Sequence, residues 1–233
     1  MGYMGYMIIV GVFSLLGMIV SNRLKSKFKH YSQIPSTGNA SGEEVAHQML
    51  SHFGINDVKV VQGQGSLTDH YNPLTKTISL SPEVFQGRSI ASAAVSAHEC
   101  GHAVQHAEAY AALKMRSAIV PVVNFSSKIQ QFLFMGMMVG FGTMGSGPLS
   151  NLLLVALTIT FGVTALFSLI TLPVEFDASK RALLWLDETG NTTGVAYDGA
   201  KDALTWAAMT YIVSALSALV MFLYFFLRMM GSD

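Results

Sequence analysis

The chain has 233 residues, 51% of them hydrophobic and 12% charged, with no net charge and a single cysteine. So apolar a composition excludes an ordinary soluble domain and points to a membrane; the neutral balance gives no footing for nucleic acid, and one cysteine excludes an internal disulfide. Charged side chains are missing from 1–22, 129–174 and 203–227, and since a helical span takes about 20 apolar residues, these stretches hold one, two and one spans, four in all.

The first span, 3–20, has Tyr3 and Tyr6 at one end and Arg23, Lys25, Lys27 and Lys29 just past the other. A cleaved signal peptide carries its positive charges before the apolar run, so the reversed order reads as a retained anchor. Ten Lys and Arg fall between Arg23 and Lys128, three between Lys180 and Lys201, and one, Arg228, beyond the last span. By the positive-inside rule both hydrophilic segments are cytoplasmic and both termini outside, on one shared side as four spans require.

Ile34-Pro35-Ser36-Thr37-Gly38-Asn39 is a turn-rich linker. Ser41 and Glu44 then form a capping box for a helix with Val45, Met49, Leu50 and Phe53 on its apolar side and Gly54 as its stop. His47 and His52, five apart, do not share a face of that helix and read as surface or packing residues. From 58 to 80 the period changes to two, giving a small antiparallel sheet whose last strand, 76–80, lies at an edge. Such an edge either docks an extended peptide or braces a helix.

Ser81-Pro82-Glu83 starts a short helix, and Ser89 caps the next, which runs to about residue 110. Its small residues, Ala91 to Ala97, suit a buried central helix. On it lies His98-Glu99-Cys100-Gly101-His102. Two histidines four apart are rotated by only about 40° and can grip one metal ion. Zinc bound by imidazole lowers the pKa of a coordinated water to about 7, and the carboxylate of Glu99 can take that proton and later return it to a leaving amine. The motif therefore points to metal-assisted peptide hydrolysis, with chance matches expected roughly once in a hundred such chains or less. Cys100 lies about 200° around the helix from His98 and reads as a packing residue.

The middle spans, 129–145 and 149–172, form a hairpin with a turn at Gly145-Ser146-Gly147-Pro148, and Pro173 breaks or kinks the second. Next come Glu175, Asp177, Lys180 and Arg181; a loop occupies 187–202, and the final span 207–227. The metal needs a third protein ligand. His106 shares the motif's helix face but overshoots by a turn, and His70, in the sheet, has no spacing argument behind it. Glu175, on a separate helix on the same side of the membrane, is better placed. His70, Tyr71, His106, Tyr197 and Arg181 each have the chemistry to stabilise an oxyanion.

With Asp69-His70-Tyr71-Asn72-Pro73, Thr77 to Pro82, His98 to His106 and Leu172 to Ser179, nearly the whole chain resembles the YugP-type neutral zinc metallopeptidases of bacterial membranes. That resemblance implies a membrane-embedded, zinc-dependent peptidase with His98, His102 and Glu175 on Zn2+ and Glu99 in the catalytic position. The more distant HtpX-type peptidases also pair a helical His-Glu-x-x-His with a later glutamate. Such enzymes usually carry an aspartate four residues beyond that glutamate, orienting the first histidine, where Ser179 stands here. Asp177 is an alternative for that work, though a helix-start carboxylate is the favoured reading of it.

The expectation is thus a mainly α membrane protein with four transmembrane helices and a small α+β zincin-like cytoplasmic domain. Its segments are an N-terminal helix (1–22), a cytoplasmic part bearing the motif (23–128), a hairpin (129–172), a cytoplasmic segment with the third ligand (173–206) and a last helix (207–233). It would cleave peptides or membrane proteins at the cytoplasmic face of the bilayer. Two rivals stand beside it. A metal transporter needs ionisable groups inside its spans, which these lack. A non-catalytic zinc-stabilised scaffold needs four protein ligands. Substrate and oligomeric state are not written in the chain.

Overall fold

A computed structural model describes residues 2–140 and 148–231. The elements in order are α1 (Gly2–Tyr31), α2 (Gly42–His52), β1 (Lys59–Gln62), β2 (His70–Asn72), β3 (Thr77–Leu80), α3 (Pro82–Gln86), α4 (Ile90–Ala107), α5 (Ala111–Gly140), α6 (Pro148–Glu188) and α7 (Val195–Met230). They divide into two compact units.

One unit comprises Ile19–Lys114 and Pro173–Thr210. Its local structure follows the capping signals. Ser41 Oγ accepts from the Glu44 N–H and Glu44 returns a bond to the Ser41 N–H, closing the box that starts α2. Gly54, with φ +67°, takes the left-handed turn after that helix, a conformation only glycine adopts freely. Val45, Met49 and Leu50 face inward against α4, whose alanines and Val104 are buried. Ala182, Trp185 and Leu186 of α6 join the same core.

The sheet has three strands in the order β1-β3-β2. β3 is antiparallel to β2 but parallel to β1, so the sheet is mixed rather than antiparallel. The last strand, expected at an edge, is central. It carries the two fully buried side chains, Ile78 and Leu80, each worth about 1.5–3 kcal/mol of burial. The more exposed β1 and β2 flank it, and they are the edges.

The other unit comprises Met1–Met18, Met115–Leu172 and Tyr211–Asp233. Leu157, Phe161, Met221 and Phe225 form its core, with the Phe161 and Phe225 rings stacked at 5.2 Å. Thr158 and Thr164 donate their hydroxyls to the carbonyls four residues back, which satisfies them within the helix. Met4, Ile8, Val12 and Leu15 of α1 are exposed, as lipid-facing side chains are.

Among the described residues three helices are long and apolar enough to cross a membrane: Met4–Tyr31, Asn151–Glu188 and Val195–Met230. The expected span 129–145 is not one of them. Its described part closes α5, where Ser126, Ser127, Lys128, Gln130 and Gln131 precede the apolar run. Residues 141–147, which include most of the expected hairpin turn, lie outside the described residues. Pro121 and Pro173 do not end their helices; α5 and α6 run through them. The loop expected at 187–202 is shorter, because α6 continues to Glu188 and α7 already begins at Val195.

Candidate metal centre

Ser89 starts α4 by accepting the Ser92 N–H, and an alanine-rich sequence of high helix propensity carries it forward. The small side chains admit close neighbours on both sides. Towards α2, Ser96 Oγ donates to the Gly42 carbonyl and the Cys100 thiol to that of Ala46; Cys100 is buried, as packing requires, and burial pushes its thiol pKa up. Towards α6 the contact falls on Gly101, where a Cβ would stand 2.6 Å from the Ala178 carbonyl oxygen and 3.1 Å from its Cα. Only a residue without a side chain lets these backbones come so near.

That approach sets Glu175 of α6 opposite His98 and His102 of α4. His98 Nε2 lies 3.3 Å and His102 Nε2 3.6 Å from Glu175 Oε2, and one ligand atom from each residue falls within 4.8 Å of the others. A tetrahedral ion with bonds of about 2.0–2.1 Å separates its donors by about 3.3–3.4 Å, close to the two histidine–glutamate separations. Two imidazoles and a carboxylate suit zinc. Glu175 is 2% exposed, and a carboxylate buried that deeply calls for a cation. Burial pushes the pKa of His102 down, but the Glu175 and Glu99 carboxylates more than reverse this and leave it raised. Glu99 itself is buried beside the first histidine.

Further groups hold these in place. Ser179 Oγ lies 3.1 Å from His98 Nδ1, so the serine at the position usually held by aspartate does reach the first histidine. On the other ring, His102 Nδ1 lies 3.1 Å from Gln105 Oε1, and the Gln105 amide donates to Val174 O and Asp177 Oδ2, each at 2.8 Å. Asp177 also takes a bond from Arg181, which pairs in turn with Glu108. Asp177 is therefore deep within α6 rather than at a helix start, and its partner is Gln105. Nothing in the reading of the sequence singled out Gln105; its one signal was a polar residue three past His102 on a buried helix.

The remaining candidates lie elsewhere or have other partners. His106 Nδ1 lies 2.7 Å from the hydroxyl of Tyr71, whose phenol burial pushes up to about 12, so it keeps its proton at neutral pH. His70 is exposed, with Nδ1 on the Thr68 carbonyl, and His47 and His52 are exposed on α2. Among the described residues, the one group of three or more side chains able to hold a metal is His98, His102 and Glu175.

A family model described as "Putative neutral zinc metallopeptidase" matches residues 6–230. The "Putative membrane protease YugP" of Bacillus subtilis (strain 168) is 40% identical over 204 residues, 87% of this chain and 87% of that protein. No solved structure matches.

Proposed function

The chain belongs to the neutral zinc metallopeptidase family, and from that premise we propose that it is a membrane-embedded endopeptidase in which His98, His102 and Glu175 hold the zinc and Glu99 moves the proton. The observation that carries this reading is the convergence of three donors from two helices within 4.8 Å of one another. Bound there, zinc supplies an acidified water and a Lewis acid for the scissile carbonyl.

The residues of the chain do the rest. Glu99, next to His98 and buried, accepts a proton from the attacking water and delivers it to the departing amine nitrogen. Ser179 and Gln105 keep the two imidazoles turned towards Glu175. A structural zinc site is closed by four protein ligands; among the described residues three donors converge, which supports an open position and a catalyst over a scaffold.

The site acts at the cytoplasmic surface on membrane proteins or on peptides that reach it. Support comes from the ten Lys and Arg between Arg23 and Lys128 and from Glu175, three residues past Leu172 on a continuous helix. A fourth crossing by 129–145 completes that topology, with both termini outside. The test is to incubate the purified protein in detergent with an unbiased peptide library, with and without a chelator. Cleavage that the chelator abolishes and zinc restores is expected; chelator-resistant cleavage, or none with zinc bound, overturns the proposal.

A further inference from the structure

We infer that Gln105 is a positioning residue that locks the proton of His102 on Nδ1, and that Asp177 and the Val174 carbonyl are what set Gln105 to do so. The inference rests on the reading of His102 as a ligand, but not on peptide hydrolysis.

The argument turns on which way round the amide sits. A glutamine side chain offers two N–H donors on one atom and an acceptor oxygen on the other. Gln105 is fully buried, so no water can make good a missing bond. At one end it meets Val174 O and Asp177 Oδ2, each 2.8 Å away. A carbonyl and a carboxylate are both acceptors, so only the NH2 group fits there. Turned the other way, the amide oxygen would face two acceptors in a dry site, leaving buried polar groups without hydrogen bonds. Orientation is therefore dictated from α6, and Oε1 must be the atom 3.1 Å from His102 Nδ1. An acceptor there requires Nδ1 to carry the hydrogen, which in the neutral ring leaves the Nε2 lone pair directed at Glu175.

His98 has no such constraint. Its neighbour Ser179 is a hydroxyl, which donates or accepts as required. One imidazole thus has its tautomer fixed by the fold, while the other adapts. The placement of the acceptors adds a second effect. Val174 and Asp177 flank Glu175 on α6, and Gln105 lies one turn beyond His102 on α4, so a single amide also pins the two ligand-bearing helices in register. Arg181 donates to the same Asp177 oxygen and helps hold it in place.

The experiment compares zinc affinity, by competition with a chromophoric chelator, with the exchange of the His102 Nδ1 proton, by 15N-histidine NMR of the zinc-loaded protein in detergent. The wild type should show that proton protected. In Gln105→Met, which fills the space without hydrogen bonding, the proton should exchange quickly and zinc affinity should fall about ten- to a hundredfold. Asp177→Asn keeps an acceptor for the amide and should stay close to the wild type, whereas Asp177→Leu should weaken affinity and protection together. Should Gln105→Met fail to fold, the two Asp177 variants still decide. Equal affinity and protection in Asn and Leu, or an unprotected proton in the wild type, overturns the inference. Loss of peptide cleavage alone, with tautomer and affinity as expected, sinks the peptidase reading and leaves this one standing.

Discussion

Glu99 follows the first imidazole in the chain, and among the described residues its carboxylate is not one of the three groups that converge to hold a metal. Replacing it with glutamine preserves shape and removes the proton carrier. Glu99→Gln should therefore keep zinc, measured by metal analysis, while kcat falls by about 10²–10⁴-fold; full activity would remove Glu99 from the chemistry. His102 sets the pH dependence. A proton on Nε2 excludes the metal, and the carboxylates that raise this group's pKa make the proton a stronger competitor. The bound fraction is thus intact above that raised value and is lost as pH falls through it. Zinc affinity followed by chelator competition should begin to decline at a higher pH than an unperturbed imidazole site would show; an affinity flat from about pH 8 to pH 5 would contradict this. The paired histidines and the glutamate beside them were legible because helical periodicity alone brings them together. Gln105 and the real work of Ser179 were not, since their partners lie on another helix and depend on its register.

Gly101 decides at the level of elements whether the two ligand helices can meet. Adding a methyl group forces a 2.6 Å contact with the Ala178 carbonyl, which backbone atoms cannot relieve without parting. Gly101→Ala should cost about 1–3 kcal/mol of stability, read as a lower thermal midpoint. It should also lower zinc affinity, because Glu175 moves away with α6. A stable variant with normal affinity would mean that the helices are not held this close. Distance along the chain separates the features legible in the sequence from those that are not. Ser41 with Glu44, and Ser89 with Ser92, act within a few residues, so the starts of α2 and α4 could be read directly. The order of the strands could not. β1 and β3 pair in parallel only after the chain has crossed to lay β2 on the far side, and strand alternation carries no information about that path. Pro173, expected to break or kink its helix because it lacks an N–H, lies inside α6, which runs on to Glu188.

For the molecule as a whole, composition and charge placement made the membrane legible, and three long apolar helices bear it out. The fourth crossing was the harder reading, because polar side chains of α5 precede its apolar run. The number of crossings decides only whether the two termini share a side, and the chain itself offers a way to measure which side each part faces. Its single cysteine, Cys100, is buried, so a membrane-impermeant maleimide should leave the unmodified protein unlabelled. A cysteine in place of Leu74, which is 93% exposed on the turn between β2 and β3, then reports the side of the metal-binding unit. One in place of Gly231 reports the end of α7. With four crossings and a cytoplasmic site, Leu74→Cys should react in inverted membrane vesicles and not in intact cells, and Gly231→Cys the reverse. Since one helix, α7, leads from the unit bearing the site to Gly231, a single crossing by it puts the two probes on opposite sides. Labelling of both from one side would show that α7 does not span. Reversal of the pattern would put the active site outside and withdraw the cytoplasmic surface as the place where substrates meet it.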